Sequence, residues 1–251
     1  MSKVILLTGA SRGIGLATAH YLLKKSHNLV LVARSEAPLN DLKTQYPNQV
    51  EFLAGDLSDF SLSRKAVDLA VRTWKRLDGV IVNHGVLDPV KKLADSTPEE
   101  WRSAFDKNFF SAVSLAQAAL PALRKTRGTI LFTSSGAASN SYPTWGAYGS
   151  AKAAMNHLAA TIANEEEDVI SMAIRPGVVD TEMQKDIREK HHTAMYPGDR
   201  ARFAELKKTG GLLKPEQPGN VMARLVLSAP KELSGKFLSW NADELKGYQQ
   251  D

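Results

Sequence analysis

Tyr148 and Lys152 stand at i and i+4 in the stretch Tyr148-Gly149-Ser150-Ala151-Lys152, so on a helix a phenol and an amine share one face. Beside Ser135 upstream and a glycine loop at Gly9–Gly15, the pair reads as a proton donor with an electrostatic helper. Alone, the pair fits equally well an ordinary helix with one buried aromatic and one solvated lysine. Its meaning depends on the elements that position it.

Composition narrows the field. The chain has 251 residues, 43% hydrophobic and 24% charged, which suits one α/β domain with a sizeable core. It has no cysteine, which excludes disulfides, thiolate catalysis and Cys-ligated metal sites and permits a reducing compartment. The net charge is +5, but the basic residues are scattered among acids, so no nucleic-acid stripe is expected. No apolar run approaches the roughly 20 residues that span a bilayer. Met1-Ser2-Lys3 with Val4–Leu7 faintly mimics a signal peptide, but the run is short and ends in a glycine turn. A cytoplasmic protein with no membrane partner is the expectation.

Val4–Thr8 is an apolar run suited to a strand buried on both faces, followed by Gly9-Ala10-Ser11-Arg12-Gly13-Ile14-Gly15 and then a helical pattern. Strand, glycine turn and helix open a dinucleotide-binding unit. Gly9 serves the tight turn, Gly13 lets backbone approach a pyrophosphate, and Gly15 permits close helix–strand packing, with the helix N-terminus favouring the anion. Further strands are expected at Asn28–Ala33, Val50–Ala54, Gly79–Asn83, Thr129–Thr133, Val169–Ile174 and Lys236–Ser239. Helices are expected between them. One starts on the capping box Thr97-Pro98-Glu99-Glu100 and runs to about Lys125, broken near Asn108. Residues 181–213 lack a regular pattern and read as an irregular insert, a substrate lid over a single domain of residues 1–251. Alternating strands and helices imply a doubly wound, mainly parallel sheet.

Together these residues resemble the short-chain dehydrogenase/reductase family, compact type. The motifs are Thr8–Gly15, Asp56, Val82-Asn83-His84-Gly85, Asn108, Ser135, Tyr148-x-x-x-Lys152 and Pro176-Gly177-Val178-Val179-Asp180-Thr181. Within the family, Arg34–Leu39 and Trp145–Gly149 look most like fungal benzil (1,2-diketone) reductases and more distantly like sepiapterin reductases. The resemblance implies a Rossmann-like sheet of about seven strands with helices on both faces. It implies hydride transfer to a carbonyl carbon, with Tyr148 protonating the oxygen, Ser135 polarising it and Asn108 holding a water that links Lys152 to solvent. Ser134 is a rival for the serine role. A tyrosine of pKa about 10 needs roughly 4 kcal/mol of phenolate stabilisation to work near neutrality, about what an ammonium at 4 Å supplies at an effective dielectric near 20.

By the same resemblance the cofactor lies on Gly9, Ser11, Arg12, Gly13, Ile14, Gly15, Asp56, Leu57, Asn83, Gly85, Tyr148, Lys152, Pro176, Gly177, Val179 and Thr181. Members that use NAD end the second strand with an acid; here Ala33 is followed by Arg34. Arg34 and Arg12 suit the 2′-phosphate of NADP(H), while Glu36 is read into the first turn of the next helix. His84 departs from the family's usual Asn-Asn-Ala-Gly and is left outside the catalytic set.

The substrate wall is expected from Ser135, Trp145, Tyr148, Val178 and Met183, with Tyr142, Pro143, Met195 and Tyr196 adding aromatic and apolar surface for a small carbonyl compound. Adjacent His191-His192 do not converge as metal ligands, so no metal is expected. The reading is an NADPH-dependent reductase of ketones or 1,2-diketones, a homodimer or homotetramer through the Asn108 and Tyr148 helices. Its rivals are reduction of a pteridine side chain or a 3-oxoacyl thioester, and a non-catalytic NADP(H)-binding sensor on the same fold.

Overall fold

Near-continuous runs of Val, Ile and Leu can be buried only in a sheet covered on both faces. In the structure, a computed structural model describing residues 2–250, seven such runs form one sheet. They are β1 (Val4–Thr8), β2 (Asn28–Ala33), β3 (Val50–Ala54), β4 (Gly79–Val82), β5 (Thr129–Thr133), β6 (Ile170–Arg175) and β7 (Phe237–Ser239). Their order is β3-β2-β1-β4-β5-β6-β7, every neighbouring pair parallel. Met1, part of the signal-like start, lies outside the described residues; Val4–Thr8 is strand, as expected. Four strand ends, one of β4, both of β6 and one of β7, shift by one residue, two of them for a local reason. The Asn83 amide donates to the Thr8 hydroxyl (2.9 Å), and the Val169 amide closes a turn on Glu166 O (3.3 Å).

Side-chain alternation splits the core into two layers. Val4, Leu6, Val30, Val32 and Phe132 face α3 (Ser61–Trp74), α5 (Ser111–Thr126) and α6 (Gly146–Glu165). Ile5, Leu7, Leu29, Leu31 and Ile174 face α1 (Gly13–Lys24), α2 (Glu36–Gln45) and α9 (Glu216–Ser228). Both capping-box bonds form at the start of α4 (Pro98–Phe105): Glu100 N–H donates to Thr97 Oγ1 (3.2 Å) and Thr97 N–H to Glu100 Oε2 (3.0 Å).

Three expectations need correction. The helix does not break near Asn108; a π-helical turn, Asp106–Phe110, joins α4 to α5. The Asn108 amide holds that turn by donating to Ala104 O (2.9 Å) inside the helix and to Val86 O (3.0 Å) outside it. Residues 181–213 are not irregular, since they contain α7 (Glu182–Glu189) and α8 (Pro197–Lys208). Thr181 caps the first, accepting from Gln184 N–H (3.4 Å), and Pro197 opens the second. Only Phe203 of α8 is buried, so the apolar periodicity that betrays a helix is missing there. The last long helix starts earlier than Gly219, at Glu216, with Pro218 in its first turn.

Asp78, 3% exposed, sets the height of β1 against β4. Its carboxylate accepts from Val4 N–H (2.8 Å) and from Arg76 Nε and Nη2 (2.8 and 2.5 Å), while its own amide donates to Val4 O (2.8 Å). Replacing Asp78 with Ala strands the buried Val4 amide, a loss of about 2 kcal/mol. Arg76 is 43% exposed and adds little. Urea unfolding should show a lower midpoint with an unchanged slope; a loss under about 0.5 kcal/mol would exclude the anchoring role.

Candidate active site

At the carboxyl edge of the sheet the chain runs outward from β1 to β3 on one side and from β4 to β7 on the other, leaving a crevice where the order reverses. A cleft of about 1000 Å³ occupies this edge. Gly9 and Gly13 adopt left-handed φ of 65° and 54° on its floor. A Cβ at Gly15 would sit 2.2 Å from Gly9 O, so α1 reaches the strand only with glycine there. Asn83 ties the strand ends together, donating to Gly9 O (3.3 Å) and accepting from Thr133 Oγ1 (3.2 Å).

Of the site residues singled out from sequence, Gly15 and Asn108 support this cleft from behind, Met195 and Tyr196 stand apart from it, and the rest line it. One end is cationic: Arg12 and Arg34 line it, and so does Lys107, which sequence reasoning missed although it adjoins Asn108. Glu36 does not line the cleft; it is the first residue of α2, as read. Asp56 Oδ1 accepts from Ser58 N–H (2.9 Å) and Oγ–H (2.8 Å). The backbone bond from Ser58 first, then the Ser58 hydroxyl, Arg34 and Lys107, hold its carboxyl below the usual range.

The other end carries the polar triplet. Ser135 leaves β5 and caps a 3₁₀ turn, Gly136–Ala138, its Oγ accepting from Ala137 N–H (3.1 Å). A Cβ at Gly149 would meet Ala137 O at 2.8 Å, so this glycine lets α6 seat against that turn and brings Tyr148 to Ser135. The rival, Ser134, has a buried Oγ without a hydrogen-bond partner among the described residues, whereas the Ser135 side chain lies near enough to Tyr148 to oppose a rise in its pKa. Lys152 Nζ is buried, donates to Thr133 O (2.8 Å) and lies 5.8 Å from the Tyr148 ring centre. Burial lowers the Lys152 pKa to about 8.

The net shift of the Tyr148 pKa is upward, not the expected fall. Burial raises it, and the hydrogen bond with Ser135 opposes the rise only in part. The ammonium is directed at a backbone carbonyl, and desolvation of a phenolate outweighs the rest. Tyr148 therefore stands as a neutral O–H donor. Asn108 spends both amide hydrogens on Val86 O and Ala104 O, and its Oδ1 accepts from Val86 N–H (2.9 Å), so a water could reach it only as a donor to its oxygens.

His84 is held at both ring nitrogens. Nδ1 lies 2.7 Å from the Thr8 hydroxyl oxygen and Nε2 lies 2.8 Å from Ser111 Oγ, both within hydrogen-bond distance. Burial, and then the charge on Lys152, lower its pKa to about 3. The ring is a neutral strut joining β1, β4 and α5.

In the substrate half, Trp145 stacks on Phe203 of α8 (5.7 Å, 14°) and meets Tyr142 at 4.9 Å. Val178 and Met183 line the cleft as expected; Met195 and Tyr196 do not. Met195 is packed into the apolar cluster beneath, and Tyr196, 49% exposed, precedes α8 on the surface. Phe203 and Arg175, both cleft residues, were missed. Phe203 lies in a helix with no apolar stripe, whereas Arg175 stands beside the Pro176-Gly177 motif, where its position was legible.

A doubly wound parallel sheet with a glycine-floored crevice and a Ser–Tyr–Lys triplet defines the chemistry of a nucleotide-dependent oxidoreductase. The short chain dehydrogenase family model matches residues 3–192, and the chain belongs to that family. It is 42% identical over 258 residues to the (S)-benzoin-forming benzil reductase of Saccharomyces cerevisiae, covering 98% of both chains. It is similar to the crystal structure of a Saccharomyces cerevisiae short chain dehydrogenase/reductase (TM-score 0.97, 41% identity, 99% of this chain and 100% of that one). It is also similar to a Thermococcus sibiricus alcohol dehydrogenase solved with 5-hydroxy-NADP (TM-score 0.77, 29% identity, 95% and 96% covered).

Because His84 is pinned neutral, its ring resonances in NMR should not move between pH 5 and 8. A titration centred near the ordinary value of about 6.5 would overturn the neutral, doubly held imidazole.

Proposed function

We propose that the protein is an NADPH-dependent carbonyl reductase acting on ketones and 1,2-diketones of the benzil type. The observation that carries this reading is the meeting of Ser135, Tyr148 and Lys152 in one cleft whose far end presents Arg12, Arg34 and Lys107. A reduced nicotinamide supplies the hydride when bound. The Ser135 hydroxyl donates to the carbonyl oxygen as negative charge develops there. Tyr148, kept protonated by burial, gives that oxygen its proton. The Lys152 ammonium, fixed on Thr133 O, stabilises the phenolate left behind. Asn108 is a positioning residue; it holds residues 85–86 against the π turn and so keeps Gly85 beside Lys152.

The cofactor half suits the 2′-phosphate of NADP(H) because Arg12 and Arg34 line it while Glu36 does not. The NADP analogue in the archaeal relative and the name of the yeast benzil reductase support the same reading. A binding sensor would need only the cofactor half, and the full triplet speaks against it. In this reading α7 and α8 form a lid and the protein is cytosolic; no helix among the described residues is long and apolar enough to cross a membrane. A homodimer or homotetramer through α5 and α6 fits Phe110, 44% exposed at the start of α5.

Substituting Tyr148 with Phe should lower kcat for benzil reduction by about 10³-fold while leaving NADPH affinity, read by fluorescence titration, near that of the parent. Near-parental turnover would remove Tyr148 from the chemistry. Wild-type kcat/KM should favour NADPH over NADH by at least about tenfold, narrowing on Arg34→Ala; an NADH preference would refute the phosphate assignment. Lys152 carries its charge below its pKa of about 8 and loses it above. Reductive kcat/KM should therefore be level on the acid side and fall as pH rises past 8; a rise across that range would exclude the ammonium's role.

A further inference from the structure

Arg175 ends β6 and is half-buried, yet its guanidinium has no hydrogen-bond or ion-pair partner among the described residues. Five N–H donors and a fixed charge withdrawn in part from water are costly unless an acceptor is supplied. Its place is specific: a Cβ built on Gly136, the residue after Ser135, would lie 3.6 Å from Arg175 Cδ and 3.9 Å from Nη1. The guanidinium therefore flanks the serine that is read as polarising the carbonyl. Arg175 lines the main cleft and also a second hollow of about 300 Å³ behind it, between Val178, Leu206 and Trp240. Arg202 of α8 lines both as well, with Nη1 donating to Tyr142 Oη (3.2 Å). Asp199 lines the main cleft too but pairs with neither arginine.

We propose that Arg175, with Arg202 at its rim, forms an anion subsite for carbonyl substrates that carry a carboxylate close to the reacting carbonyl. This rests on the carbonyl-reductase reading and narrows its substrate class. A planar carboxylate accepts two parallel bonds from one guanidinium, and the surrounding Trp145, Phe203 and Val178 suit an aromatic or aliphatic remainder. The reaction balances as an aryl 2-oxo acid to a 2-hydroxy acid. Hydride from NADPH forms the new C–H bond, the C=O π pair goes to oxygen, and that oxygen takes the Tyr148 proton, later restored from solvent. NADP⁺ leaves, and the carboxylate is unchanged.

Phenylglyoxylate and its methyl ester share a skeleton and differ in this charge, so they are the probes. Arg175→Gln should lower kcat/KM for the acid at least about tenfold more than for the ester, and Arg175→Lys should recover part of the difference, with KM for NADPH little altered. Benzoate should compete with the ester in the wild-type protein and benzamide should not, a readout that survives if the variant fails to fold. Equal losses on acid and ester, a rise in NADPH KM that accounts for both, or no competition by benzoate would each overturn the subsite. Turnover of benzil and the ester without the acid overturns it and leaves the carbonyl-reductase reading standing. No turnover of any of the three with either reduced cofactor removes both.

Discussion

The contact on which this structure depends is the hydrogen bond from the buried Lys152 ammonium to Thr133 O at 2.8 Å. A charge removed from water needs a partner of fixed geometry, and the carbonyl ending a central parallel strand is among the most rigid available. This bond fixes α6 along β5. Gly149, with no side chain to hold it off the Ala137 carbonyl, lets the helix come close enough for Ser135 to act on Tyr148. Register of the sheet, seat of the helix and geometry of the triplet are one problem with one solution.

Charge is sorted along the cleft. Arg12, Arg34 and Lys107 gather at one end, stacked aromatic rings at the other, with one buried ammonium between. His84 lies near that ammonium without adding a second charge, since desolvation and the Lys152 charge both favour its neutral form. A neutral ring there fills space that the family's usual alanine would leave. The local field is then left to Lys152 and Asp56.

Much of this was legible in the residues. The apolar runs gave the strands to within a residue, and the glycine loop declared its cleft because a Cβ at Gly15 meets backbone. The capping box at Thr97 formed as read, since its bonds join near neighbours in the chain. The two helices of residues 181–213 were hidden: α8 buries only Phe203, and a helix held by one aromatic contact leaves no periodic trace. Nor could the direction of the Tyr148 pKa be read, because burial is a property of what packs around the ring.

What the sequence determined by itself, then, is the order of strands and helices outside residues 181–213 and the family, since these follow from local pattern and spacing. Only the tertiary structure decided that Asn108 clamps a π turn, that Lys107 joins the cationic end, and that Arg175 faces the Ser135 turn without a partner among the described residues. Each depends on segments far apart in the chain meeting at the sheet's carboxyl edge, where distance and desolvation, not residue type, set what a side chain can do.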